Sequence, residues 1–338
     1  MPERTPRRLR PLVFGILVLG SAALAAGYVT KAALDAREPA GTARPTTRIS
    51  VPLGADGARV VFRSLERKQG RTYGRVALAR FAGEGATRTL TGLTCDRLHM
   101  AAGRGICLTR RGRLFRYRAV IFGRDFRHVS DVNLNGLPTR TRVSPDGRYG
   151  AATTFVSGHS YAVAGSFSTE TVLIDLRRGT KLGNLEDFKV TRDGRRFRKQ
   201  DFNFWGVTFT RGGDRFYATV ASGGKTYLVE GSVRSRTARV LRDNVECPSL
   251  SPDNTRLAYK KLVAGPGGWQ FHVLDLKTMS DTPLAETRHI DDQVEWLDNR
   301  RILYRAGEDV WALRADGRGT PQRFLTAADS PAVVRIAG

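Results

Sequence analysis

The chain is short of cysteine, histidine, lysine and acid, and each shortage removes a class of protein. Three cysteines, Cys95, Cys107 and Cys247, cannot all pair within one chain, so no multi-disulfide framework holds the fold. A Cys95–Cys107 bridge and three packed thiols both remain open. Only five histidines are present, and His159 has no second histidine nearby at a metal-ligating spacing. No metal and no cofactor is expected. A serine-hydrolase propeller would need a further catalytic domain and Gly-x-Ser-x-Gly, whereas "GHSYA" ends in alanine and lies in a loop. No strongly amphipathic helix follows residue 40, which argues against a helical fold. Lysine supplies only nine of 56 bases, so the formal charge of +24 against 32 acids is an arginine charge, partly a matter of composition.

What is present is a repeated turn. "TRVSPDGRYGAATT" from Thr139 returns as "PSLSPDNTRLAYKK" from Pro248, with Asn254 in the place of Gly147. The proline presets φ, the aspartate bonds the backbone ahead, and Gly or Asn tolerates positive φ, so each copy reads as a hairpin tip. Degenerate copies begin at Val207, Val294 and Pro52. Taking Ser144, Thr210, Ser251 and Leu297 as equivalent, the spacings are 66, 41 and 46 residues, near the ~40–50 of a four-stranded propeller blade. The long interval holds an Arg192-Asp193-Gly194 tip, read as an extra hairpin extending an outer strand. A stretch from Cys95 with glycine turns but no aspartate turn supplies one more blade. The expectation is an all-β, six-bladed propeller of four-stranded blades over residues 49–338, in one domain.

Ahead of it, residues 1–10 carry Arg4, Arg7, Arg8 and Arg10, and residues 11–30 are uncharged but for nothing stronger than threonine and tyrosine. Twenty such residues make roughly 30 Å of helix, enough to span a bilayer. The arginine side stays cytoplasmic and the propeller goes out, joined by a linker over residues 31–48. The protein is then a single-pass membrane protein, or a secreted one if the segment is cleaved near Ala23-Leu24-Ala25.

With the paired Ser144–Gly147 and Ser251–Asn254 tips, the six-fold count and the exported amino terminus, the chain resembles the TolB-type β-propellers, over about residues 50–335. It looks like a membrane-attached, actinobacterial member without the small α/β domain that precedes the propeller in periplasmic TolB. The resemblance implies an extracytoplasmic module that binds envelope components and has no chemistry of its own.

Propeller geometry puts the Asp-Gly tips on one face and the second-to-third-strand loops on the other, and that loop face is expected to bind. His159, Trp205 and Trp269, with Asp291 and Asp292 at the channel mouth, are the candidate contacts. Trp205 also reads as blade packing, and the Asp291-Asp292 pair as turn acids. The expected partner of the monomer is an envelope protein, or an anionic envelope polymer or lipid surface, and not nucleic acid. The alternative is a metal-dependent hydrolase or lyase using separated channel-mouth acids such as Asp96, Glu246 and Asp292.

Overall fold

In the computed structural model the described residues are 59–67, 72–80, 88–112, 116–156, 168–263 and 268–334. They form six antiparallel blades. Blade 1 contains β1 (Arg59–Ser64), β2 (Arg75–Arg80) and β3 (Thr89–Thr94); blade 2 contains β4 (Arg97–Ala101), β5 (Arg104–Arg111), β6 (Arg116–Gly123) and β7 (His128–Leu134). Blade 3 runs through β8 (Leu137–Val143), β9 (Tyr149–Val156), β10 (Ser168–Asp175) and β11 (Thr180–Asn184). An added hairpin, β12 (Lys189–Arg192) and β13 (Arg195–Arg196), precedes blade 4, made of β14 (Asn203–Phe209), β15 (Arg215–Ser222), β16 (Lys225–Ser232) and β17 (Thr237–Asp243). Blade 5 contains β18 (Glu246–Leu250), β19 (Arg256–Leu262), β20 (Trp269–Asp275) and β21 (Asp281–Pro283), and blade 6 β22 (Glu295–Trp296), β23 (Arg301–Ala306), β24 (Asp309–Arg314) and β25 (Gln322–Leu325). The last strand, β26 (Ala328–Val334), pairs with β1 and becomes the innermost strand of blade 1. The only helical element among the described residues is a single 3-10 turn, Leu185–Asp187.

Short continuous apolar runs such as Val60-Val61-Phe62 follow from this architecture, because both faces of a blade are covered by neighbours. The core is accordingly divided into six wedges. Val61, Leu78 and Met100 fill the wedge between blades 1 and 2, Ile106 and Val172 that between 2 and 3, and Leu173 and Phe216 that between 3 and 4. Leu228 with Leu257, Phe271 with Tyr304, and Phe62 with Leu303 fill the other three, the last joining blade 6 to blade 1. The ring is therefore closed, and every wedge lies within residues 59–334, so the propeller has its own core.

The two clear tips have the same bonds. Ser144 Oγ donates to Asp146 Oδ1 (2.5 Å) and accepts from the Tyr149 amide (2.9 Å); Ser251 Oγ does the same with Asp253 (2.5 Å) and the Arg256 amide (3.0 Å). Gly147 and Asn254 take φ of 67° and 62°, the reason one replaces the other. Tips also touch tips. The Arg211 amide donates to Asn254 Oδ1 (3.0 Å) and the Asp253 amide to Asn299 Oδ1 (3.2 Å).

The extra hairpin does extend an outer strand, but that of the blade that follows it, since β12 lies parallel to β17. Cys95 and Cys107 are bridged, with Cα atoms 5.3 Å apart. Cys107 in β5 faces Leu98 across the β4–β5 register, and it is the segment just ahead of β4, where the Asp96 amide bonds the Leu108 carbonyl, that brings Cys95 to it. Cys247 is free and buried, and burial pushes its thiol up. It is a packed side chain and not a nucleophile. The segments 1–10, 11–30 and 31–48 lie outside the described residues, and among the described ones no helix is long and apolar enough to cross a membrane. Thiol titration should find no accessible thiol in the native protein, one per chain after unfolding without reductant, and three after reduction; three before reduction would remove the bridge.

Innermost strands bulge. Register shifts fall between Trp205 and Thr208 in β14 and between Glu246 and Ser249 in β18. There the two backbones meet: Gly206 has φ 64°, and a Cβ on it would lie 2.6 Å from Cys247 Cα. Both the dihedral and the contact demand glycine. Gly206→Ala should lower unfolding free energy by about 2 kcal/mol or more in urea titration; an unchanged midpoint would mean the inner strands move apart freely.

Candidate functional site

The channel has two ends. At the tip end, bounded by Pro145, Pro252 and Asn254, lies a cavity of about 230 Å³. Its floor is one layer deep and takes one residue from each innermost strand: His99, Arg142, Thr208, Ser249, Glu295 and Val333. Four of these, Arg142, Thr208, Ser249 and Glu295, stand two residues before the repeat's reference positions Ser144, Thr210, Ser251 and Leu297. The repeat that makes the tips thus also makes the floor.

Arg142, 7% exposed, pairs through Nη1 with Glu295 Oε2, and its Nη2 donates to the Val294 carbonyl (2.9 Å). Blades 3 and 6 are opposite in a six-membered ring, so this ion pair crosses the channel. Glu295 Oε1 accepts from the Val333 amide (3.2 Å), which ties in the closing strand. His99 Nδ1 accepts from the Val143 amide (3.0 Å), and its Nε2 lies 3.0 Å from Arg142 Nη1 and 3.4 Å from Glu295 Oε2. Burial, and then Arg142 beside it, hold His99 below its ordinary value, so it is neutral. Burial opposes the charge on Glu295, yet Arg142, with help from His99 and the Val333 amide, holds its carboxyl down to about 2. The layer therefore has no net charge. Above it the lining is mixed: Met100, Val143, Phe209, Leu250 and Trp296, whose side chains belong to the wedges between blades, alternate with Ser251 and Asn254, and Arg211 stands at the exposed rim.

The loop end is built on Lys260, 2% exposed, whose Nζ pairs with Asp291 Oδ1 and lies 3.5 Å from Glu246 Oε2 and 4.9 Å from the centre of the Trp269 ring. Arg140 Nη2 reaches the same Asp291 oxygen (3.1 Å), and the Trp269 amide donates to His289 Nδ1 (3.2 Å). Burial pushes the Glu246 carboxyl up against the pull of Lys260. In blade 1, Asp329, 1% exposed, is gripped by Arg97 (2.9 Å), Arg63 (3.2 Å) and Arg305 (3.5 Å) from blades 2, 1 and 6.

Of the residues expected from sequence, the structure brings Trp269 and Asp291 together, on Lys260. Asp292 is half-buried next to them. Trp205 is 5% exposed, enclosed by the blades. His159 lies outside the described residues. Of the acids in the hydrolase reading, Asp96 is exposed at the start of blade 2 and Glu246 is engaged by Lys260; among the described residues no three His, Cys, Asp or Glu side chains converge as metal ligands. Sequence reasoning missed His99, Arg142, Glu295, Lys260 and Asp329. The signal for two of them was the column two places before each tip, where polar side chains interrupt apolar strands.

Because the depressed Glu295 carboxyl sits below its ordinary value of 4.5, its contribution to stability is complete above that value and is lost as pH falls through about 2. Glu295→Gln strands Arg142 and should cost about 3–5 kcal/mol at neutral pH while flattening the acid limb of the stability profile. An acid limb as steep as the wild type's would assign it to other carboxylates.

Neither a family model nor a curated protein matches the sequence. Solved structures do. TolB from Acinetobacter baumannii superposes with a TM-score of 0.58 at 14% identity, covering 83% of this chain and 67% of that one. A chain of a nidogen/laminin complex gives 0.55 at 10%, covering 82% and 98%. These likenesses show the fold, a six-bladed propeller like that of TolB.

Proposed function

We propose that this protein is a non-catalytic binding propeller of the cell envelope, held outside the cytoplasmic membrane by residues 11–30, which receives a segment of a partner protein at the tip end of its channel. The observation that carries this reading is the cavity of about 230 Å³ over the Arg142–Glu295–His99 floor. Its lining offers both apolar and polar groups and its buried Arg142 and Glu295 are already paired, so it favours an inserted side chain or loop with a few polar groups over a free ion. The volume is that of a large side chain or two, and the ring of tips around it offers backbone groups and Arg211 to whatever follows the inserted residue. The resemblance to TolB-type propellers, which implies envelope binding, and the uncharged residues 11–30 support the location.

The reading is tested with the full chain in its native membranes. A photoreactive residue in place of Arg211 should cross-link one discrete protein in carbonate-washed membranes, Pro252→Trp at the cavity mouth should abolish that product, and the same probe at Met279, exposed on the outer side of blade 5, should give none. Cross-linking confined to a probe at Trp269 would move recognition to the loop end. Loss of the chain to the carbonate wash would remove the membrane anchor but leave the cavity assignment standing.

A further inference from the structure

The β12–β13 hairpin belongs to no blade, yet it is firmly held. Val190 is 2% exposed in the wedge between blades 3 and 4, and the Lys189 amide bonds the Arg236 carbonyl (3.0 Å). Phe197 closes the hairpin through its amide to the Val190 carbonyl (2.9 Å) and stacks against Phe202 (5.0 Å) and Tyr227 (5.6 Å). Arg192 lies over the same tyrosine ring (5.0 Å).

What this rigid element presents is charge of one sign. Lys189, Arg192, Arg195, Arg196, Arg198 and Lys199 are all exposed. The single carboxylate between them, Asp193, is 90% exposed and reaches only Arg192 (3.7 Å), so the hairpin has a formal excess of five positive charges. Elsewhere several arginines are matched, as at Asp329, Asp281 and Glu230. Asp187 and Asp201 are the acids at its base. Glu186, whose backbone carbonyl accepts from Arg198 (2.7 Å), adds no negative charge at neutral pH, because burial pushes its carboxyl up to about 8.

We propose that the β12–β13 hairpin is a docking edge for an anionic phospholipid surface. The inference rests on the membrane reading above, and the chain itself supplies the reason for this occupant. On that reading only 18 residues, 31–48, separate the bilayer segment from residue 49. The surface such a propeller meets is the bilayer's own, where clustered Lys and Arg bind anionic headgroups and each cation strengthens binding roughly five-fold. Charges on an edge strand also deter pairing with other strands, but acids would do that equally well. Reversing the sign separates the two roles.

The test uses residues 49–338, which hold all six blades and the closing strand, with folding checked by circular dichroism. The fragment should co-sediment with vesicles containing 30% phosphatidylglycerol and not with pure phosphatidylcholine, and should be released at ~0.5 M salt, where the Debye length shrinks to a few ångströms. R195E/R196E should weaken vesicle binding at least ten-fold. R124E/K277E, which changes net charge equally at exposed positions on blades 2 and 5, should leave it within about two-fold. Equal loss in both variants would assign attraction to the overall positive charge of the fragment and overturn the docking edge, as would no binding to anionic vesicles. Binding to poly-glutamate as tight as to vesicles at equal charge concentration would overturn the lipid as its occupant. Vesicle binding by the fragment, with the full chain lost to a carbonate wash, would sink the anchor and leave the docking edge.

Discussion

The Arg142–Glu295 pair is the interaction on which the channel depends. Six innermost strands converge on one axis, and at the level of these residues each has room for a single inward side chain. Filling that layer with apolar groups would close the channel with a hydrophobic plug; filling it with charges of one sign would open it to water. The chain places one cation and one anion on opposite blades. Because the pair is buried, its strength rests on the secondary bonds that satisfy it, and the Val294 carbonyl, the Val333 amide and the His99 imidazole supply these from blades 6, 1 and 2. The ion pair thus reports on ring closure, since β26 must be in place for Glu295 to be satisfied.

The tips and the floor are two consequences of one repeat. A Ser-x-Asp turn in which serine and aspartate bond each other fixes where each innermost strand ends, and so fixes the height of the residue two places earlier. Bonds between tips, Arg211 to Asn254 and Asp253 to Asn299, then hold successive blades at a common level. The cavity is the space left between that ring of turns and the layer beneath it. Its charges are matched, so on the proposed reading recognition there would rest on shape and hydrogen-bond geometry.

The two ends of the channel and the outer edge divide the surface electrically. At the loop end buried bases and acids are interlocked: Lys260 and Arg140 with Asp291, and three arginines on Asp329. Removing one member of such a node strands another, which makes these residues part of the frame. The excess positive charge is therefore displaced outward, to positions such as the β12–β13 hairpin where water screens it and an anionic partner can reach it.

What the sequence determined by itself is the architecture. Turn chemistry is local, so the Pro, Asp and Gly or Asn of each tip, their spacing and the apolar runs between them were sufficient for six four-stranded blades and for the added hairpin at Arg192-Asp193-Gly194. What only the tertiary structure decided involves partners distant in sequence. Arg142 and Glu295 meet because their blades face each other; Cys95 and Cys107 pair because the segment entering β4 folds against β5; β12 joins β17, more than forty residues on, and not the neighbouring β11; and Trp205 is enclosed because blades cover both of its sides. Asp291 reads in sequence as a free channel-mouth acid, but Lys260 and Arg140 arrive from two other blade positions to take its charge. A turn is determined by the residues within it, whereas an ion pair across a ring is determined by the ring's closure, and no local pattern contains that.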